Sequence, residues 1–394
     1  MRKKRINIAQ FHWGFPPIIG GVETHLYLML PVFAKWGHRV SLLTASCGEA
    51  KARESYKGIE IFRSPLMDLN WLFKRGLEGL EEEIDKLFRD FLKHVRPHII
   101  HVHNMHYFSK LHIRKLSELA ARDNIPIILT AHNVWDEILF LELIKEINWS
   151  HIIAVSHFIK KEIMGVGYDD KKITVVHHGI DTKVFSPRRD TRDIQNKYPQ
   201  LKDRKVIFHP ARIGLAKGCD ISVKALRLIR EHCPEVILVM AGTKNIIDWG
   251  QTQQKDIAYI VELIKSLKLE KNVLIDAFSL DEMAQVYSLA KICVYPSSGP
   301  EPFGLTMLEA ISSGKPIIVT NMGGMPEIIQ DGINGFVIKV RDFEALASRV
   351  IRLLGDNTLR ERLGYTGRQI ALAQYNKERM AKDVLAIYQK VLGG

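Results

Sequence analysis

The chain has 394 residues, more than one typical domain needs and enough for two, each with its own core. Its 56 Lys and Arg against 44 Asp and Glu give a net charge of +12, spread as 26 against 21 over residues 1–187 and 30 against 23 over the rest. With no basic tail and no aromatic RNA-binding signature, this excludes a dedicated nucleic-acid binder and points to anionic small molecules or an acidic lipid surface.

Four cysteines without a C-x-x-C pair, a charged start with no apolar core behind it and no apolar run of about 18 residues lead us to expect a reduced, cytoplasmic chain without an ordinary transmembrane helix. In chain order, INIAQFH, HRVSLLTA, GIEIFRS, HIIHVH, IPIILTAH, HIIAVS and ITVVHH read as strands. Between them VETHLYLMLPVFAKWG, LEEEIDKLFRDFLKHV and KLHIRKLSELAARD read as helices, the first interrupted or kinked near Pro31. The polar stretch 185–204 shows no apolar period and reads as a linker. Strands then resume with KVIFHPA, VILVMA, NVLIDAF, KICVYP, KPIIVT and GFVIKV, and two amphipathic segments, about 357–373 and 377–391, close the chain. The alternation predicts an α/β protein of two Rossmann-like doubly wound parallel-sheet domains, 1–187 and 188–376, with the closing helix 377–394 packing back onto the first.

A nicotinamide dehydrogenase would carry G-x-G-x-x-G after its first strand, and a P-loop enzyme G-x-x-x-x-G-K-[ST]; neither occurs. What occurs are polar loops at strand ends, where α/β folds bind ligands. In FPPIIGGVETH, Gly20 and Gly21 precede a helix, where a backbone N–H cradle could take an anion. Gly323 and Gly324 form a second such loop. HPARIGLAKG sets Arg212 and Lys217 after the first strand of the second half, placed for a pyrophosphate. EPFGLTMLE puts Glu301 in a loop and Glu309 in the following helix, about 7 Å further along it than Gly304. HVHNMH holds His101, His103 and His106 without an acidic or thiol partner at metal-site spacing, so we expect no metal there but strand-end histidines with partners inside the fold or facing a ligand. His132 in LTAHN ends another strand. LNWLFKRG joins Trp71, Phe73, Lys74 and Arg75, a composition suited to anionic lipid or to core packing against the next helix.

Together FPPIIGGVETH, LTAHN, AVSHFIKKEI, VVHHGIDTKVFSP, ARIGLAKGCDISVKAL and EPFGLTMLEAISSGKPIIVT resemble, in order and spacing, the family-4 retaining glycosyltransferases (glycosyl transferases group 1) of GT-B fold, over nearly the whole chain. The E-x7-E of EPFGLTMLE is the most specific match. The chain departs from the family pattern at His178, Pro302 and Asn133, where Asn, Gly and Asp are common.

The resemblance implies a metal-independent hexosyltransferase that takes a nucleoside-diphosphate sugar, UDP ahead of GDP or ADP, and a sugar or lipid-linked hydroxyl acceptor, with no cofactor and with peripheral contact at an inner membrane face open to it. By the same resemblance Glu309 binds the donor ribose, Glu301 the transferred sugar, and Arg212 and Lys217 the diphosphate. The backbones of Phe303, Gly304 and Leu305 lie near the donor, Gly20 or Gly21 approaches the β-phosphate, and His132 touches the sugar. A carboxylate pair attacking one carbon would sit about 5 Å apart, so we expect no protein nucleophile. The alternatives are a nucleotide-sugar epimerase or phosphorylase-like enzyme of the same fold, and a non-catalytic nucleotide-sugar sensor.

Overall fold

A computed structural model describes residues 5–106, 109–133, 138–242 and 251–393. It divides into two units, one running to His178 and including the chain from Lys377 on, the other lying between Gly179 and Asn376. The first unit is built on strands β1 (Asn7–Phe11), β2 (Arg39–Ala45), β3 (Arg53–Tyr56), β4 (Ile59–Ser64), β5 (Ile99–His103), β6 (Ile127–Ala131), β7 (His151–Ala154) and β8 (Ile173–Val175). They form one sheet in the order β3-β4-β2-β1-β5-β6-β7-β8. All neighbours pair in parallel except β3 with β4.

Each apolar run read from the sequence is a strand of the fold; β3 is the addition. Its residues Arg53, Glu54, Ser55 and Tyr56 are too polar to stand out. The signal for it is the turn: Tyr56 pairs with Ile59 across Lys57 and Gly58, whose φ values of 46° and 85° are those of a two-residue hairpin turn.

The second unit carries β9 (Lys205–His209), β10 (Val236–Gly242), β11 (Val273–Ala277), β12 (Ile292–Tyr295), β13 (Ile317–Thr320) and β14 (Gly335–Ile338), all parallel in the order β11-β10-β9-β12-β13-β14. In each sheet the strand order reverses beside the first strand, at β1 and at β9. Loops leaving the carboxyl ends there splay to opposite faces and open a crevice.

Two expectations from the sequence are corrected. Of the interruption or kink expected near Pro31, the interruption is overturned: the first helix runs from Gly21 to Lys35 with Pro31 inside it. Leu26, Met29, Leu30 and Phe33 are fully buried along its inner face. At about 1.5–3 kcal/mol each, their burial outweighs the ~3 kcal/mol a mid-helix proline costs. The stretch 185–204 is likewise no bare linker: Phe185, Ile194, Tyr198 and Leu201 are buried, Phe185 packs edge-on against Tyr287, and Arg192–Lys197 is helical. Three of its anchors, Ile194, Tyr198 and Leu201, stand at i, i+4 and i+7, a helical spacing that sequence reading missed because it spans barely two turns and is broken by Pro199. The closing helix, Lys377–Gly393, lays Met380, Ala381, Val384, Leu385 and Tyr388 into the core under Gly21–Lys35 within the first unit.

Candidate functional site

In the second unit the loops after β9 and β12 are fastened to one another. The Ala216 carbonyl accepts from the N–H groups of Ser298 (3.0 Å) and Gly299 (3.2 Å) and from the Ser297 hydroxyl (2.8 Å). Gly218, at φ +73°, lies so close to Pro296 that a Cβ would stand 1.9 Å from its carbonyl oxygen, so only glycine fits.

This fastening sets Lys217 beside Glu301, Nζ to Oε2 2.7 Å, and the Tyr295 hydroxyl donates to the same oxygen. The Lys217 ammonium also lies 5.7 Å from the centre of the Tyr295 ring. Burial works against both charges, yet the attraction of Lys217 for Glu301 outweighs it: the carboxyl is held below its ordinary value and the ammonium above its own. Arg212 is exposed in the loop after β9 and adds a weaker pull on Glu301. The sequence pairs these residues only by strand-end logic; Tyr295 reads as an ordinary strand aromatic and is missed.

The second glycine pair packs against the Glu301 loop. Gly324 donates its N–H to the Glu301 carbonyl at 2.8 Å, and a Cβ on Gly323, at φ +57°, would stand 2.2 Å from that oxygen. These glycines hold the Glu301 loop from behind. Gly304 caps the helix Leu305–Ser312, and Leu305 opens it, so its first N–H groups lie at the turn that follows Glu301. Phe303 is buried and packs against Tyr375, so its side chain is an anchor.

Glu309, one turn into that helix, is 9% exposed and accepts from the Tyr287 hydroxyl at 2.8 Å. Burial raises its carboxyl to about 7 against the opposing pull of Tyr287. The two acids of EPFGLTMLE are thus set in opposite ways, one ionised by a cation and one poised near neutrality.

In the first unit, Gly20 and Gly21 stand before the helix Gly21–Lys35 as expected, but they differ. A Cβ on Gly21 would meet nothing within 4 Å, whereas one on Gly20 would stand 2.3 Å from Glu23 Oε2 and one on Gly14 2.7 Å from Glu23 Oε1. The buried Glu23 carboxylate fills the loop from beneath and accepts from His12 Nε2 at 3.0 Å. His12 Nδ1 faces the His103 carbonyl at 3.1 Å. Burial would raise the Glu23 carboxyl, but the hydrogen bond and charge of His12 hold it below its ordinary value. Sequence reading missed this pair because an acid in a first helical turn is common for dipole reasons alone.

His132, at the end of β6, is buried. Its backbone N–H donates to Asn104 Oδ1 at 2.8 Å, its Nε2 lies 3.0 Å from His103 Nδ1, and its Nδ1 has no hydrogen-bond partner among the described residues. His101 and His103 find partners within the fold, as the sequence suggests: Tyr388 and Thr130 for His101, Gln10 and His132 for His103. Ring nitrogens of His25, His103 and His132 lie within 4.8 Å of one another. His103 has already committed both of its own, which leaves His25 Nε2 and His132 Nδ1 as bare buried atoms, one ligand short of a zinc-type site. In the helix Leu69–Arg75, Leu69 and Leu72 are buried while Phe73, Lys74 and Arg75 are exposed and Trp71 lies between. Among the described residues no helix is long and apolar enough to cross a membrane.

Against this geometry stand the comparisons with known proteins. Residues 190–370 match the family described as Glycosyl transferases group 1, and residues 19–184 the one described as Glycosyltransferase Family 4. Spore coat protein SA of Bacillus subtilis is 26% identical over 392 residues, covering 95% of this chain and 96% of that protein. The sucrose-phosphate synthase of Thermosynechococcus elongatus superposes with a TM-score of 0.80 at 22% identity, over 99% of this chain and 100% of that one. An Anabaena protein solved in complex with UDP-glucose gives 0.79 at 18% identity, over 98% and 100%. At such identities the structural likeness speaks for the fold, which is GT-B.

Proposed function

We infer the reaction from one premise: the chain belongs to the glycosyl transferases of group 1, with a first half of the family 4 type. It moves a hexosyl group from a nucleoside-diphosphate sugar to a hydroxyl of a sugar or lipid-linked acceptor, with retention at the anomeric carbon and without a divalent metal. The observation that carries this reading is the cluster of Lys217, Glu301 and Tyr295 at the carboxyl ends of β9 and β12, beside the first turn of the helix Leu305–Ser312. As the leaving diphosphate gains charge, Lys217 and Arg212 offer two fixed cations, and the helix start adds oriented N–H groups. Glu309 accepts from the ribose hydroxyls, Glu301 from hydroxyls of the transferred sugar. Within the first unit, the helix start at Gly20 and Gly21 suits a phosphate, and His132 suits a sugar hydroxyl.

No carboxylate in the cluster is free to attack carbon. Glu301 is engaged by Lys217 and Tyr295, and Glu309 lies under Tyr287. The acceptor therefore enters on the face the diphosphate leaves, and the departing phosphate takes its proton. UDP is the favoured nucleotide, supported by the UDP-glucose complex of the Anabaena protein. Phe73, Lys74 and Arg75, exposed together, suit peripheral contact with an acidic lipid surface.

The test is product analysis with UDP-hexose alone and with added hydroxyl acceptors, the anomer assigned by proton NMR. An acceptor-dependent glycoside that keeps the donor configuration is expected. Free sugar or an altered nucleotide sugar formed without acceptor would replace this reading with an epimerase or phosphorylase-like one, and tight binding with no turnover would replace it with a sensor.

A further inference from the structure

We propose that a buried hydrogen-bond chain starting on the closing helix dictates which nitrogen of His132 carries hydrogen, with Tyr388 and Gln10 as positioning residues. The Gln10 amide nitrogen donates to the Tyr388 hydroxyl at 3.0 Å, across 378 positions of sequence. That hydroxyl lies 2.5 Å from His101 Nδ1, so that with its oxygen receiving the amide its own hydrogen is left for the ring, and His101 Nε2 faces the Thr130 hydroxyl at 2.7 Å. With its nitrogen so engaged, Gln10 turns its oxygen to His103 Nε2 at 2.8 Å. An amide oxygen only accepts, so His103 carries its hydrogen on Nε2 and leaves Nδ1 bare. His103 Nδ1 then accepts from His132 Nε2–H at 3.0 Å, which leaves His132 Nδ1 bare as well.

Burial pushes His101, His103 and His132 well below their ordinary values, so each ring is neutral and carries one hydrogen. Turning the Gln10 amide over would reverse every donor along the line and put hydrogen on His132 Nδ1. One amide orientation, set between Tyr388 and His103, therefore decides whether Nδ1 accepts or donates. A bare Nδ1 accepts from a hydroxyl of the transferred sugar; an Nδ1–H would oblige that hydroxyl to rotate and accept instead, losing the bond it donates. The last step rests on the donor-side role proposed for His132 above, and the chain itself does not.

The experiment is long-range proton–nitrogen NMR of the full chain labelled with 15N-histidine, with His132 assigned by loss of its signals in His132→Gln. The expected spectrum has hydrogen on His132 Nε2 and a bare Nδ1; hydrogen on Nδ1 overturns the proposal without any further variant. Gln10→Met and Tyr388→Phe are then expected to give a mixture of the two His132 forms and to lower kcat about 10-fold or more, the scale of leaving a buried polar partner unmatched, with the Kd for UDP unchanged. A lowered kcat with an unaltered His132 spectrum would show a packing role only and overturn the positioning role. A shifted spectrum with unchanged kcat would support the chain and overturn the donor-side role of His132.

Discussion

Glu309 gives the sharpest test of the proposed donor site, because it should weaken the free protein in the same pH range in which it strengthens binding. Its carboxyl is raised by burial from the ordinary 4.5 to about 7. The raised value belongs to the folded state, so the penalty is absent below pH 4.5 and grows as pH rises toward 7. At ~1.4 kcal/mol per pH unit the ionised buried group costs the fold ~3 kcal/mol. Ribose hydroxyls donate to the ionised form, whose share falls from ~0.9 at pH 8 to ~0.1 at pH 6. The Kd for UDP should therefore rise about tenfold over that interval through this residue, in addition to the titration of the nucleotide's own terminal phosphate.

Glu309→Gln keeps the shape and removes the charge. We expect it to bind UDP ~5–30-fold more weakly than wild type at pH 8, to converge with it at pH 6, and to unfold at higher urea than wild type above pH 7. Isothermal titration at pH 6, 7 and 8 reads the affinities, and 2′,3′-dideoxyuridine diphosphate should show no Glu309-dependent component. Parallel pH profiles in wild type and variant, or equal UDP affinity at pH 8, would refute the reasoning.

Three other outcomes follow from the same geometry. Glu301→Gln should lower kcat on the order of 100-fold while the Kd for UDP stays the same or tightens, because Lys217 is released to the diphosphate; an equal loss in UDP affinity would contradict the assignment. Lys217→Ala should slow transfer on the order of 100-fold and Arg212→Lys should also slow it, while wild-type activity survives exhaustive dialysis and excess EDTA. Loss of activity restored by Mg2+, or normal turnover in Lys217→Ala, would sink the fixed-cation account. Gly323→Ala, at φ +57° and 2.2 Å from the Glu301 carbonyl, should cost about 1–3 kcal/mol of stability and impair turnover; a variant with wild-type urea unfolding and kcat would show the loop to be slack.

The strands were legible because a parallel sheet covered on both faces needs continuous apolar runs, and INIAQF, RVSLLTA and KVIFH supply them. What escaped was set by distance or by the absence of a period. The edge strand Arg53–Tyr56 has one mostly solvated face and no apolar run, and in residues 185–204 the helical spacing of Ile194, Tyr198 and Leu201 is too short and too diluted by charge to stand out.

The same holds at the site. Glu301, Lys217, Arg212 and Glu309 were legible as charged residues in or just after loops at strand ends, a position that polar chemistry favours in any doubly wound sheet. Tyr295 and Tyr287 were not, because their hydroxyl partners are fixed only by folding. Gln10 stood in plain view as an amide inside an apolar strand. Its partner Tyr388 lies on the last helix, and no spacing rule connects them.

The opposite settings of Glu301 and Glu309 follow from their place relative to one turn. Glu301 precedes the helix start, where the loops after β9 and β12 are fastened together, so the fastening itself delivers Lys217 and Tyr295 to its carboxylate. Glu309 lies inside the helix, on a face the fold buries, and the group delivered to it is the neutral hydroxyl of Tyr287. A hydroxyl stabilises an ionised carboxylate less than an ammonium does, and burial prevails. The free protein thus keeps one charge neutralised and the other half discharged. On the proposed function, a diphosphate arriving at Lys217 would share the cation with Glu301, and ribose hydroxyls arriving at Glu309 would complete the solvation that folding removed. That function would concentrate binding energy on the nucleotide end and leave at the sugar end a carboxylate that gains most as positive charge develops at the anomeric carbon.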